Sequence, residues 1–191
     1  MFGPYPARAR TGRAGDPTGV RNRSQSLAVL HRAVHDDPMS VTIPDHLFVC
    51  IDHVGVAVPD LDEAIAFYAS AFGMRVQHEE TNHDQGVREA MVAVGDSGSC
   101  IQLLAPIDEK STIAKFLDRS GPGLQQLAYR VTDVEQVSAV LRERGLRLLY
   151  DEPRRGTAGS RINFVHPKDA GGVLVELVEP AAEPAHARAV D

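Results

Sequence analysis

Cysteine and long apolar runs are both scarce in this sequence. Only two cysteines, Cys50 and Cys100, occur in its 191 residues. This number excludes a small disulfide-stapled scaffold and favours a reducing compartment, so we expect a cytoplasmic protein. No apolar run approaches the roughly 18 residues that a membrane-spanning helix requires, so we expect no membrane partner. The phosphate-binding patterns GxxxxGK[ST] and GxGxxG are absent as well.

Positive charge is scarce outside the N-terminal region. Residues 1–38 contain six Arg, no Lys and three Asp, which gives a net charge of +3. The formal charge of the whole chain is −6, so the remaining residues carry −9, the difference between −6 and +3. An acidic body disfavours non-specific binding to a polyanion, and we predict no nucleic-acid partner.

Composition divides the chain into three parts. Gly, Pro, Arg and Ser dominate the start of residues 1–45, which we predict to be a disordered N-terminal extension. An Arg-rich targeting segment is the alternative interpretation of that region. Residues 46–180 carry dense apolar patterning, and residues 181–191 are predicted to be a disordered tail.

The central region begins with a strand and a helix. IDHVGVAV (51–58) has the β-branched character of a strand, and residues 60–73 have helical spacing with Asp60 as the N-cap. Three further strands are predicted to follow, separated by the turn signals NHDQG and GDSGS. The predicted buried face of the helix consists of Leu61, Ile65, Tyr68 and Phe72.

The same order of elements then recurs. LQQLAYRV (124–131) is predicted to be a strand, and residues 133–145 form a helix capped by Asp133. The segments LRLLYDEP, RINFVHP and GVLVELVEP complete a second set of strands. We therefore predict an α+β fold of two tandem βαβββ modules, 46–108 and 120–180, which form a curved sheet around a shared, metal-centred cavity.

Superposing the two halves singles out four polar residues in apolar strands. His53 falls on Gln126 and Gln102 falls on Glu176, at separations of 73 and 74 residues. Because a buried polar group without a partner costs about 1–3 kcal/mol, four such residues at corresponding places favour a shared divalent cation. The alternatives are a hydrogen-bonded core histidine and solvent-facing Gln and Glu side chains.

Several motifs resemble the vicinal oxygen chelate superfamily and, within it, the methylmalonyl-CoA epimerases. They are IDHVGVAVPD, HEETNHDQGVREAM, IQLLAP, SRINFVHPK and GVLVELVEP. The resemblance implies a metal held by His53, Gln102, Gln126 and Glu176. Gln126 departs from the family, which commonly has a histidine there. The resemblance also implies Co²⁺ as the ion, with Zn²⁺, Mn²⁺, Ni²⁺ or Mg²⁺ as alternatives, and a homodimer.

The same resemblance implies epimerisation of (2R)- and (2S)-methylmalonyl-CoA through an enolate. Glu89, in GVREAMVAV, and Glu176 are then the two bases that remove and return the proton at C2. A cation would stabilise the enolate charge. The side chains that could contact the phosphates of coenzyme A are Lys110, Lys115, Arg154, Arg155, Arg161 and Lys168.

Two other functions stay open at this point. The first is another metalloenzyme of the superfamily, either a glyoxalase-type isomerase or a ring-cleaving dioxygenase. A dioxygenase prefers two His and one carboxylate for iron, whereas the four residues contain one His. The second is a metal-free module that binds a small molecule in the same cavity.

Overall fold

The computed structural model describes residues 42–182. The predicted tail, apart from residues 181 and 182, and the predicted extension, apart from residues 42–45, lie outside the described residues. Eight strands and three helices follow one another in the described part: β1 (Phe48–Ala57), α1 (Leu61–Phe72), β2 (Arg75–Asn82), β3 (Val87–Ala93), β4 (Cys100–Pro106), α2 (Thr112–Ser120), β5 (Gly123–Val131), α3 (Val134–Glu143), β6 (Arg154–Arg155), β7 (Arg161–Val165) and β8 (Leu174–Glu179).

All eight strands form one curled sheet in the order β2-β3-β4-β1-β5-β8-β7-β6. In each half the first and last strands pair in parallel, β1 with β4 and β5 with β8. The two halves join where β1 and β5 pair antiparallel at the centre of the sheet. The predicted α+β fold of two βαβββ modules is therefore confirmed.

Strand alternation separates the two faces of the sheet. Leu103 of β4 packs against α1, and Leu177 of β8 packs against α3. Their neighbours Gln102 and Glu176 consequently point to the other face, where they line a cavity. Ile113 of α2 also lines that cavity. No helix in residues 42–182 is long and apolar enough to cross a membrane.

Capping side chains set the starts of the two long helices, as predicted. The Asp60 carboxylate accepts the backbone N–H of Glu63 at 2.9 Å, and Asp133 accepts that of Gln136 at 2.8 Å. The predicted burial of Phe72 is wrong, since its side chain is 57 % exposed. It lies in the last turn of α1, where it packs against the rings of Phe67 and Tyr68.

The strand predicted for LRLLYDEP does not form. A single bridge joins Leu148 to Val165, and the short β6 begins only at Arg154. The reason lies in backbone groups that bond to side chains. Asn163 accepts the N–H of Tyr150 and donates to its carbonyl, and the Arg142 guanidinium donates to the same carbonyl. At Tyr150 these bonds take the place of further strand pairing, which is limited to the bonds that join Arg147 and Leu149 to His166 and Phe164.

Candidate active site

The central strand pair brings two of the predicted site residues together. In the register of β1 and β5, His53 lies opposite Ala128 and Gly55 lies opposite Gln126. Gly55 leaves space for Gln126, because a Cβ atom at Gly55 would lie 2.5 Å from the Gln126 Cγ atom. His53 and Gln126 are both buried.

The outer neighbours of this pair supply the other two residues. Gln102 of β4 lies opposite Gly55, and Glu176 of β8 lies opposite Ala128. The arrangement is therefore the same in both halves. Gly55 lies between Gln102 and Gln126, and Ala128 lies between His53 and Glu176. All four predicted ligands are at most 8 % exposed and lie in one cluster.

Gln126 connects the cluster through its side-chain amide. Its Nε2 donates to Gln102 Oε1 at 3.2 Å and makes a short hydrogen bond to Glu176 Oε2. His53 Nε2 lies 3.2 Å from the same Glu176 oxygen. This contact is an ion pair when the ring is protonated, but it is not a hydrogen bond, and His53 Nε2 is a buried nitrogen without a hydrogen-bond partner.

A carboxylate and a guanidinium orient the His53 ring from behind. Asp52 Oδ1 lies 2.9 Å from His53 Nδ1, and Arg130 Nε donates to Asp52 Oδ2 at 2.6 Å. Burial lowers the pKa of His53, but the carboxylates of Asp52 and Glu176 outweigh burial and raise the pKa to about 9. The bond at Nδ1 leaves Nε2 as the ring atom that faces the cluster.

Glu89 lies beside the four residues on β3 and is 2 % exposed. Gln102 Nε2 donates to its Oε2 at 2.9 Å, and the Thr157 hydroxyl donates to its Oε1 at 2.8 Å. Burial raises the pKa of Glu89 to about 7, although the bond from Thr157 acts in the opposite direction. A carboxyl with this pKa can exchange a proton near neutral pH.

Thr157 is a site residue that the sequence analysis did not identify. It lies in a short turn of the second half, and Gln102 Nε2 donates to its hydroxyl at 2.8 Å. The next residue, Ala158, has the left-handed φ of 53°, and its N–H donates to Glu80. Glycines on both sides, Gly156 and Gly159, were the available signal for an unusual turn at this position.

Two cavities meet at this cluster. A cavity of about 280 Å³ is bordered by Gln102, Gln126 and Glu176, and one of about 160 Å³ by His53 and Glu176. Thr157 lines both cavities. Glu89 itself borders neither cavity, but its two hydrogen-bond partners do, Gln102 the larger one and Thr157 both.

The predicted coenzyme A cations are distributed unevenly. Arg154 borders the larger cavity, and its guanidinium lies 4.0 Å from the centroid of the Tyr150 ring. Arg155 borders an adjoining cavity of about 300 Å³, which Arg154 and Tyr150 also line. Arg161 instead pairs with Glu135 and Glu179. Arg154 therefore lines the cavity at the cluster, and Arg155 lines the cavity beside it.

The donor set is unusual for a metal site because half of it is amide. Among residues 42–182, no three His, Cys, Asp or Glu side chains cluster in a way that could hold an ion. His53 Nε2 makes no hydrogen bond and would coordinate a cation after losing its proton, Glu176 supplies a carboxylate, and both Gln side chains carry amide oxygens. These donors fit a divalent cation once the Gln126 amide turns its oxygen inward. The metal-binding role of the four residues stays a prediction.

Comparisons with known proteins agree with this architecture. Residues 52–164 match the family described as Glyoxalase/Bleomycin resistance protein/Dioxygenase superfamily. The crystal structure of methylmalonyl-CoA epimerase from Mycobacterium tuberculosis is 59% identical, has a TM-score of 0.70, and covers 74% of this chain and 94% of that chain. A methylmalonyl-CoA epimerase in complex with methylmalonyl-CoA and NH4+ is 47% identical, with a TM-score of 0.68, and covers 71% of this chain and 96% of that chain. The ethylmalonyl-CoA/methylmalonyl-CoA epimerase of Cereibacter sphaeroides is 37% identical over 129 residues, which are 66% of this chain and 95% of that protein.

Proposed function

Because this chain belongs to the Glyoxalase/Bleomycin resistance protein/Dioxygenase superfamily, we propose that it is an isomerase that interconverts (2R)- and (2S)-methylmalonyl-CoA. The resemblance to the epimerases that the motifs indicated is confirmed. One observation supports the proposal most strongly. Two buried carboxylates, Glu89 from one half and Glu176 from the other, are linked through the amides of Gln102 and Gln126.

The proposed reaction uses the two carboxylates in sequence. Glu89 takes the proton from C2, and the electron pair of the C–H bond moves into the thioester as an enolate. Glu176 then returns a proton to the opposite face of C2, which forms the other epimer. In the reverse direction the roles exchange. Gln102 and Thr157 hold the two oxygens of Glu89 and so orient its carboxylate.

A divalent metal at the cluster is the second part of the proposal. The superfamily and the epimerase relatives suggest such an ion. His53, Gln102, Gln126 and Glu176 would hold it, and it would supply a positive charge that stabilises the enolate oxygen. Asp52 and Arg130 would fix the orientation of the His53 ring toward it.

For the identity of the ion we expect Co²⁺. This expectation comes from the resemblance to the epimerase family, and Zn²⁺, Mn²⁺, Ni²⁺ and Mg²⁺ are the alternatives. Elemental analysis of the purified protein, followed by removal of the ion and reloading with each cation, tests this expectation. Highest activity with any cation other than Co²⁺ would contradict it.

The experiment that tests the function is incubation with methylmalonyl-CoA in deuterated water. We expect loss of the C2 proton signal by NMR together with interconversion of the epimers, and a much slower reaction after treatment with a chelator. A protein that leaves the C2 proton in place would contradict the proposed reaction. Undiminished exchange after complete metal removal would contradict the metal but not the reaction.

One observation favours a second function. The Gln126 amide already bonds both Gln102 and Glu176, so these three side chains are hydrogen-bonded to one another without an ion. A metal-free module that binds a small acyl thioester would use the same cavity. Binding of methylmalonyl-CoA without exchange at C2, by a protein that contains no metal, would favour this alternative. The single His of the cluster argues against an iron dioxygenase.

We further expect a cytoplasmic homodimer. Both cysteines are free thiols, which agrees with a reducing compartment. Val49 and Ile51 of the central strand β1 are more than half exposed, although they are apolar. Covering them in a dimer would remove apolar surface from water. Light scattering on the full chain would determine the mass, and a monomer at micromolar concentration would contradict the dimer.

A further inference from the structure

Gln125 lies at an irregularity in the central strand pair. The register of β1 and β5 shifts between the pairs Gly55–Gln126 and Val56–Leu124, so Gln125 is the extra residue of a β-bulge. A bulge interrupts the alternation of side chains and redirects one of them. Gln125 and Gln126 are consecutive, yet both line the cavity of about 280 Å³. The bulge therefore places the amide of Gln125 in this cavity beside that of Gln126.

The side-chain oxygen of Gln125 has no partner. Its Oε1 is buried and accepts no hydrogen bond, in contrast with the bonded amide of Gln126. A buried acceptor left unpaired costs about 1–3 kcal/mol, and this cost is recovered when a ligand brings a donor. The cavity that Gln125 lines also contains Glu176, one of the two proposed bases. The missing donor should thus belong to the substrate of that site.

The chemistry of an acyl-CoA substrate limits which donor this is. The malonyl part of methylmalonyl-CoA at neutral pH offers only acceptors, namely the thioester oxygen and the carboxylate oxygens. The first N–H along the molecule belongs to the pantetheine amide, two methylene groups beyond the sulfur. This N–H lies close to the thioester, so it can reach a neutral amide oxygen beside the reacting centre and donate a hydrogen bond to it.

We propose that Gln125 is a specificity-determining residue that accepts a hydrogen bond from the pantetheine amide nearest to the thioester. This inference rests on the proposed function. It adds that the bulge recognises the pantetheine part of the substrate. Through this bond Gln125 would select thioesters of pantetheine over other thioesters. It would also fix the distance between the thioester and the proposed bases.

The test compares two substrates and three proteins. One substrate is methylmalonyl-pantetheine, and the other is its analogue with a methylene in place of the amide N–H nearest to the sulfur. The proteins are the wild type, Gln125→Met and the control Gln85→Met, which alters another glutamine of the same cavity. Rates of C2 proton exchange in deuterated water give kcat/KM, and circular dichroism and melting temperature verify folding.

We expect kcat/KM of the wild type and of Gln85→Met to be about tenfold higher with the amide substrate than with its analogue. A tenfold difference corresponds to one hydrogen bond with an otherwise unpaired acceptor. Gln125→Met should lose this preference by slowing only with the amide substrate. Gln125→Glu, which keeps an acceptor, should retain the preference. Gln125→Ala, which removes the acceptor without adding bulk, should lose it and replaces the Met variant if that variant does not fold.

Equal slowing of both substrates by Gln125→Met would overturn the inference, because it would indicate a structural role. Wild-type activity without a preference for the amide would overturn it as well, while leaving the proposed function intact. A wild type that does not exchange the C2 proton of methylmalonyl-CoA would overturn the proposed function itself.

Discussion

The hydroxyl of Thr157 donates a hydrogen bond to Glu89 from the opposite half of the sheet, with 2.8 Å between Oγ1 and Oε1. The same hydroxyl accepts a hydrogen bond from Gln102 at 2.8 Å. A residue of the second module therefore positions the proposed base of the first module. The left-handed Ala158 backbone next to Thr157 is held by the Glu80 carboxylate, so the first module in turn anchors this turn.

Replacing Thr157 by Val should slow the reaction about tenfold, because it removes one hydrogen bond to Glu89 while keeping the shape of the side chain. The loss should appear in kcat more than in KM. Since the Thr157 bond lowers the pKa of Glu89, its removal should also move the acidic limb of the pH profile to higher pH. Thr157→Ser keeps the hydroxyl and is the control. Equal effects of Val and Ser would contradict the positioning role.

The pH profile of the wild type follows from the burial of Glu89. Burial raises the pKa of this carboxyl to about 7, and only the deprotonated form accepts a proton from C2. In the direction in which Glu89 is the base, we expect kcat/KM to rise with pH and to level off above about 7. Initial rates of C2 exchange between about pH 5 and 9 measure this. An acidic limb in the ordinary range of a solvent-exposed Glu would show that another group titrates.

Removing the base itself should separate chemistry from metal binding. Glu89→Gln keeps the size of the side chain and its place beside Gln102 and Thr157, but it cannot take a proton. We expect turnover to fall by about 10²–10⁴-fold or more, while the metal content measured by elemental analysis stays at the wild-type level. Near-normal exchange at C2 would rule out Glu89 as a base.

Gln126 determines how strongly the cluster holds an ion. Imidazole binds borderline divalent cations better than an amide oxygen does, and Gly55 leaves room at this point of the sheet. Gln126→His should therefore lose its metal to a chelator more slowly than the wild type, and Gln126→Ala should lose it faster. Elemental analysis after timed exposure to the chelator gives both rates. Unchanged retention in both variants would exclude Gln126 as a ligand.

The sequence was sufficient for the features that depend on a repeated pattern. The polar residues His53, Gln102, Gln126 and Glu176 stand out because apolar strands surround them, and the two halves place them at equivalent positions. Once β4, β1, β5 and β8 pair side by side, these four residues come together around Gly55 and Ala128. Capped helices were equally accessible, since a carboxylate N-cap is a local signal.

The features that escaped prediction depend on contacts distant in sequence. LRLLYDEP has the composition of a strand, but Asn163 and Arg142 satisfy the backbone groups of Tyr150 from other elements. The position of Thr157 depends on Glu80 and Glu89, more than 65 residues away. The bulge at Gln125 is a property of how β1 and β5 pair and has no signature in either strand alone.

A side chain at position 55 should lower the stability of the fold because of Gln126, which lies opposite Gly55. A Cβ atom at Gly55 would lie 2.5 Å from Gln126 Cγ and 3.1 Å from its Cδ, so Gly55→Ala must displace Gln126 from the cluster. Overpacking of this kind costs about 1–3 kcal/mol, which corresponds to a melting temperature lower by about 3–10 °C for a domain of this size. Metal retention should fall to the level of Gln126→Ala.

The double variant Gly55→Ala with Gln126→Ala provides the control for this clash. Alanine at 126 has no Cγ, so the added methyl group at 55 meets no atom there, and the double variant should melt above Gly55→Ala alone. The two substitutions are in contact and should therefore be strongly non-additive. If their effects on melting temperature simply add, the cost of Gly55→Ala comes from elsewhere in β1, and the space that Gly55 leaves is not what seats Gln126.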